Sequence, residues 1–246
     1  MNDHPARAFV AEAIGTFGLC FIAILAVNAG VLSGHADGTV SLTSVAFANG
    51  LVIAALVAAL AALSGAHFNP AVTAGFVFTG RMPWTRGLGY VAAQVGGAVL
   101  ASAVLAALFG TTAVAAATPT LSALVSPAAG TVIEVFTTFL LVLVIFGTAV
   151  DDRAPKSVFP LAIGLVIVAD IMATGPLTGA AMNPARVLGP ALVSGAWTDH
   201  WVYWAGPLAG GVLAARLQHN FLLHAAPSPT VAARGGPSPH EERGHA

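Results

Sequence analysis

The stretch Ser64-Gly65-Ala66-His67-Phe68-Asn69-Pro70-Ala71-Val72 returns once in the chain, as Thr178-Gly179-Ala180-Ala181-Met182-Asn183-Pro184-Ala185-Arg186. Each copy is a small, flexible turn followed by Asn-Pro-Ala at the head of an apolar segment. Asn is a strong helix N-cap, because its side-chain oxygen accepts bonds from amides that the first turn leaves without partners. Pro suits the next position, where its missing N–H costs nothing. Both copies therefore read as helix starts. Each helix has about ten residues before Gly80-Arg81 or Ser194-Gly195 stops it. At about 1.5 Å per residue it is roughly 15 Å long, half the hydrocarbon thickness of a bilayer.

The bilayer is the right yardstick. Of 246 residues, 57% are hydrophobic and 8% charged, with a mean hydropathy of +0.85. A soluble domain carries about 25% charge, so this composition belongs to a membrane protein with several spans. One cysteine, Cys20, excludes an internal disulfide framework and a Cys-rich metal site.

Outward from the two copies, apolar stretches long enough to cross a membrane cover about 8–32, 42–63, 87–109, 131–150, 158–173 and 201–223. The first could pass for a signal peptide with a faint cleavage site at Ala26–Ala29, but a matching segment recurs internally, which argues for a span. Residues 110–129 read as an uncharged linker, and Trp201, Tyr203 and Trp204 as an interfacial anchor. Residues 225–246, rich in Pro, Ser, Gly, Arg and Glu, read as a disordered tail after one domain over 1–224.

The repeat extends beyond the motif. Asn183 lies 114 residues after Asn69, and Gly210-Gly211 lie 114 after Gly96-Gly97. Glu12 and Glu134 stand at equivalent places, 122 residues apart. Repeat 1 covers about 8–110 and repeat 2 about 130–224, each with three spans and a short helix after the second. Three is odd, so the second repeat crosses the membrane upside down. The expected fold is all-α: six transmembrane helices and two re-entrant half-helices in inverted repeats, meeting at the midplane. With both termini inside, Arg7, Arg81, Arg86, Arg153, Lys156, Arg216, Arg234 and Arg243 all fall on the cytoplasmic side of a cell membrane. The loops at 33–40, 110–129 and 195–200 contain no Lys or Arg.

Irregular backbone at mid-membrane depth survives only where it is buried or lines a wet cavity. Each half-helix N-terminus carries roughly half a positive charge. Asn69 and Asn183 would aim two amide donors at one spot, holding a water by its oxygen so that it cannot pass protons along a file. A single Asn-Pro-Ala is ordinarily no more than a cap; two in inverted repeats form a pore element.

With its doubled Asn-Pro-Ala, the chain resembles the aquaporin (major intrinsic protein) family from about residue 9 to 215, and aquaporins exclude protons by this same barrier. Gly179–Arg186, Leu188–Gly195 and His200–Leu208 are similar in wording to its tonoplast intrinsic branch. The resemblance implies a passive channel, a homotetramer with one pore per subunit, and no cofactor. Asn69, Pro70, Ala71, Asn183, Pro184 and Ala185 would form the pore motifs. Arg186 would form the outer constriction with Asn49, Ile171 and Ala180, counted from those motifs. Strict water channels hold Phe and His at the first two positions, so this filter should be wider and pass ammonia, urea, glycerol or metalloid hydroxides besides water. The tonoplast branch normally has His where Asn49 stands. Val187, in place of the Asp of glycerol facilitators, argues against a dedicated glycerol role.

Other residues are expected to support the pore. Glu12 and Glu134 would accept bonds from the irregular backbone before each half-helix. His67 would line the inner half through its carbonyl or ring. Asp170, beside Ile171, should point to another helix rather than the lumen. The alternatives are a strict water channel and a secondary transporter of the same inverted-repeat type. An enzyme is not expected, since no nucleophile–base pair or metal cluster appears. The expected partners are water, small neutral solutes, lipid and further copies of the chain, with no nucleic acid.

Overall fold

The computed structural model describes residues 5–34 and 38–223. The tail expected over 225–246 lies outside the described residues. Among the described residues there are helices and no strands. Helix α1 (Pro5–Leu32) and α2 (Leu42–Ser64) lead into the short α3 (Pro70–Phe78), then α4 (Trp84–Phe109) and α5 (Thr111–Ala116). The second half runs α6 (Pro127–Ile145), α7 (Phe159–Thr178), the short α8 (Pro184–Ser194) and α9 (Val202–Leu217).

Five helices, α1, α2, α4, α7 and α6 with its continuation to Val150, are long and apolar enough to cross a membrane. The sixth span is shorter: α9 has 16 α-helical residues, and a five-residue π turn, Gln218–Leu222, carries it on. A span needs about 20 residues, so the π turn completes it. A matching π turn, Phe146–Val150, ends α6. On the outer surface Leu51, Leu100, Phe136 and Leu213 are each more than half exposed. Hydrocarbon, not water, is the solvent such a surface fits.

The repeats pack in the same way. Gly97 of α4 sits so close to α1 that a Cβ would lie 2.2 Å from the Ala13 carbonyl; Gly210 of α9 would meet the Val135 carbonyl of α6 at 2.1 Å. These glycines let backbones touch, the small-residue contact of membrane helices. They also correct the register read from sequence. Gly97 is matched by Gly210, an offset of 113, while Gly96 has nothing within 4 Å and Gly211 faces Ala71. One residue is lost between the short helix and the last span of repeat 2. The offset of 114 holds for Gly50 of α2 and Gly164 of α7, which face each other across the contact relating the two halves.

Two further sequence readings change. Span five does not stop at residue 173; it runs through Pro176 to Thr178, where Gly179 takes a left-handed φ of 78° and ends it. The linker at 110–129 is partly folded. Val114 of α5 is buried with Ile24 and Leu105, and Ser122 N–H donates to the Leu177 carbonyl at 2.9 Å.

Candidate functional site

Each short helix is preceded by a loop that the chain must force into shape. Ala66 and Phe68 in one loop, and Ala180 and Met182 in the other, have φ of 53°, 51°, 44° and 53°. Left-handed backbone costs a non-glycine residue about 1–3 kcal/mol unless its surroundings hold it. The surroundings are two buried carboxylates. Glu12 Oε1 accepts from Ser64 Oγ (2.7 Å) and His67 N (2.9 Å); Oε2 accepts from Phe68 N and Gln94 Nε2, both at 2.7 Å. Glu134 Oε1 accepts from Thr178 Oγ1 (2.7 Å) and Ala181 N (2.9 Å), and Oε2 from Met182 N (2.7 Å). Neither glutamate lines the central cavity. Both hold the loops from behind.

Sequence reading missed a second support. The Tyr90 hydroxyl donates to the Ser64 carbonyl at 2.8 Å, and the Tyr203 hydroxyl to the Thr178 carbonyl at 2.9 Å, tying off the ends of α2 and α7. The signal was available: these are the chain's two tyrosines, 113 residues apart.

Asn69 and Asn183 cap their helices. Asn69 Oδ1 accepts from Ala71 N at 2.8 Å; Asn183 Oδ1 accepts from Ala185 N at 3.0 Å and Arg186 N at 3.3 Å. Their amide nitrogens cross over. Asn69 Nδ2 donates to the Met182 carbonyl and Asn183 Nδ2 to the Phe68 carbonyl, each at 2.8 Å. The two N-termini thus meet head to head, and one N–H of each amide is committed to the opposite loop. One N–H per amide remains for a molecule between them.

Between the loops runs a cavity that both asparagines line. One wall is apolar, with Ile163, Ile167 and Ile171 four residues apart on α7 and Leu141 and Ile145 on α6. The other wall is the backbone of the two loops. The cavity has a volume of about 80 Å³, well above the minimum of about 10–15 Å³ that one water needs.

Asn49, Ile171, Ala180 and Arg186 all line this cavity, and Ile171 and Arg186 also line a wider vestibule beyond it. The vestibule is roofed by Thr118–Ser122, part of the segment read as a linker. Arg186 donates from Nη1 to the Gly179 carbonyl at 3.4 Å and makes no ion pair among the described residues. Its remaining N–H groups lie at the junction of the two spaces. His67 lines the other half, but its Nδ1 is 3.1 Å from Thr73 Oγ1 and its ring packs on Phe76.

Asp170 lies off both cavities, 5% exposed, with Oδ2 unpartnered among the described residues. Cys20 is buried against Ala98, Ala101 and Ala185, behind the second short helix. No cluster of His, Cys, Asp and Glu able to hold a metal occurs among the described residues.

The sequence profile described as Major intrinsic protein matches residues 2–218. Aquaporin TIP4-4 of Zea mays is 45% identical over 223 residues, covering 88% of this chain and 87% of that protein. Aquaporin NIP1-3 of Oryza sativa subsp. japonica is 40% identical over 224 residues, covering 87% of this chain and 75% of that one. An X-ray structure of the aquaglyceroporin from Plasmodium falciparum has the same fold, with a TM-score of 0.78 at 24% identity over 89% of this chain and 97% of that one. A family profile that spans nearly the whole chain, relatives of 40% and 45% identity and the paired re-entrant helices agree: the chain belongs to the major intrinsic protein family.

Proposed function

We propose that the protein is a passive channel for water and small uncharged solutes that excludes ions and protons. One observation carries this reading: a cavity passes between two helix N-termini, each capped by an asparagine with one N–H left over. A water there meets donors from both sides and turns its oxygen to them, which breaks the proton relay. The positive helix ends and Arg186 repel cations. Asn69, Pro70, Ala71, Asn183, Pro184 and Ala185 act as the pore motifs, and Asn49, Ile171, Ala180 and Arg186 as the filter. The absence of an aromatic ring among those four supports solutes larger than water.

A coupled carrier would need a carboxylate in the path to hold a coupling cation, and Glu12, Glu134 and Asp170 all lie off the cavity, which favours the channel. The strong bias of Lys and Arg to alternate loops supports cytoplasmic termini in a cell membrane, and family resemblance supports a homotetramer.

Stopped-flow light scattering on proteoliposomes, with water, urea and glycerol gradients on one preparation, tests the proposal. Water and solute flux both above empty liposomes is the expected result. Fast water without solute would make this a strict water channel. No flux above background would overturn the open channel.

A further inference from the structure

Away from the pore, a groove of about 330 Å³ lies between α1 and α2. Its walls are Val10, Ala11 and Ile14 of α1 and Leu60 and Leu63 of α2, and its one charged lining residue is Arg7. Val10, Ile14 and Leu63 are each more than half exposed, so the groove opens outward to the hydrocarbon around the helices. From Arg7 to Ile14 it runs about 10 Å along α1, at about 1.5 Å per residue. Arg7 is exposed and makes no ion pair among the described residues. The described carboxylates on its side of the membrane are already engaged. Asp151 is 2.6 Å from Arg153, Asp152 is 3.5 Å from Lys156, and Glu12 is buried among its loop donors. Comparison of the repeats shows that the groove is not a by-product of the packing. The offset of 122 that matches Glu134 to Glu12 sets Ile133 against Ala11, Phe136 against Ile14 and Ala129 against Arg7. Where repeat 2 has bulk and no charge, repeat 1 has a recess and a cation.

We propose that this groove binds one anionic phospholipid, with an acyl chain against Val10, Ile14, Leu60 and Leu63 and the headgroup phosphate on Arg7. The guanidinium fork matches phosphate oxygens, and its charge lies where α1 leaves the apolar layer. A zwitterionic headgroup offers the same phosphate but brings its own ammonium beside Arg7. The site therefore prefers a lipid without one. A second copy of the chain is the poorer occupant, because it would cover Arg7 while every described carboxylate on that side already has its partners. The site belongs to the outer face of α1 and α2, and its occupancy is independent of whether the pore conducts.

Native mass spectrometry of the detergent-purified full chain, titrated with dioleoylphosphatidylglycerol or dioleoylphosphatidylcholine, measures the affinity of the first bound lipid. In wild type the anionic lipid should bind about fivefold more tightly, the scale of one basic residue at a membrane surface. Arg7→Gln should erase that preference. Ala11→Ile, which installs the residue of repeat 2, should erase it with every charge in place. Arg216→Gln removes a cation outside the groove and should leave the preference intact. No preference in wild type, or one that survives Arg7→Gln or Ala11→Ile, would overturn the site. An equal loss in Arg216→Gln would overturn it in favour of diffuse surface charge. A preference shown by monomers and absent from oligomers in the same spectrum would mean that a second copy fills the groove, and would also overturn it. If Ala11→Ile does not assemble, Ile14→Phe, again the residue of repeat 2, makes the same test with the same two outcomes.

Discussion

Glu134→Gln tests whether an ionised carboxylate holds the second loop. Three groups reach Glu134, and all three are donors: Thr178 Oγ1, Ala181 N and Met182 N, at 2.7, 2.9 and 2.7 Å. The Thr178 hydroxyl, which also accepts from Ala180 N at 3.1 Å, could turn to accept one more bond, but the two backbone N–H groups cannot. A glutamine can place its oxygen where Oε1 accepts two bonds, but its NH₂ then faces the Met182 N–H. One buried donor is orphaned, at about 1–3 kcal/mol, and two bonds lose charge assistance, at about 1 kcal/mol each. The sum is about 3–5 kcal/mol, at a loop whose Met182 already sits at φ 53°. For a chain of this size each kcal/mol moves Tm by about 2–4 °C, so detergent-solubilised Glu134→Gln should melt roughly 6–20 °C below wild type and conduct less water. Glu12→Gln should cost about as much: its NH₂ faces the Phe68 N–H as the other faces the Met182 N–H, while Gln94, whose Oε1 has no partner among the described residues, can turn over to receive the new NH₂. Wild-type melting and flux in Glu134→Gln would mean that the carboxyl is a protonated acid, and the reasoning would fail.

Three other perturbations discriminate equally well. Gly97→Ala puts a methyl 2.2 Å from the Ala13 carbonyl, whereas Gly96→Ala meets nothing within 4 Å; thermal melts should show a loss of about 1–3 kcal/mol or more for the first and a small gain for the second, and the reverse order would refute the corrected register. Cys20 is 1% exposed and off the lumen, so brief exposure to mercuric ion should leave water flux unchanged; a rapid block that disappears in Cys20→Ser would refute that placement. Asp151, with Arg153 Nε 2.9 Å away and Arg153 Nη2 bridging to the Leu222 carbonyl at 2.9 Å, is held down to a pKa of about 2 by that guanidinium. A depressed carboxylate contributes above its ordinary value of about 3.9 and the contribution is lost as pH falls toward the folded value. Amide exchange over 151–156, corrected for intrinsic rates, should therefore be flat from pH 7 to about 4, loosen below that, and be loose throughout in Asp151→Asn; matching profiles would refute the tie.

What could be read in the sequence was whatever repeats or is long. The doubled Asn-Pro-Ala fixed the two half-helices to within a residue or two, because Asn and Pro act locally as cap and first turn. The glutamates were legible as a symmetric pair. What escaped was set by tertiary contact. The apolar stretch of span five fades near residue 173, yet α7 runs on through Pro176 to Thr178 and ends there because Gly179 supplies the left-handed residue that a helix end needs. Helix α5 has six residues and no charge, too short to form alone, and exists because Val114 packs on Ile24 and Leu105. Paired glycines hid a one-residue slip that only backbone contact resolves. The crossing of the asparagine amides is a relation between loops 113 residues apart, invisible to any local pattern.

That crossing bears on how the chain is made. The Met182 carbonyl that receives Asn69 Nδ2 is synthesised 113 residues later, which at about 5–20 residues per second is roughly 6–20 s. Through that interval the first re-entrant loop has emerged but lacks half of its latch, and Phe68 offers its carbonyl to an asparagine that does not yet exist. Glu12 shapes the first loop from within its own half, but the cross-latch waits for the second, so nascent chains truncated before residue 182 should leave the Asn69 amide open to water. The finished channel therefore carries a checkpoint of assembly: the site forms only when both repeats are present and correctly opposed.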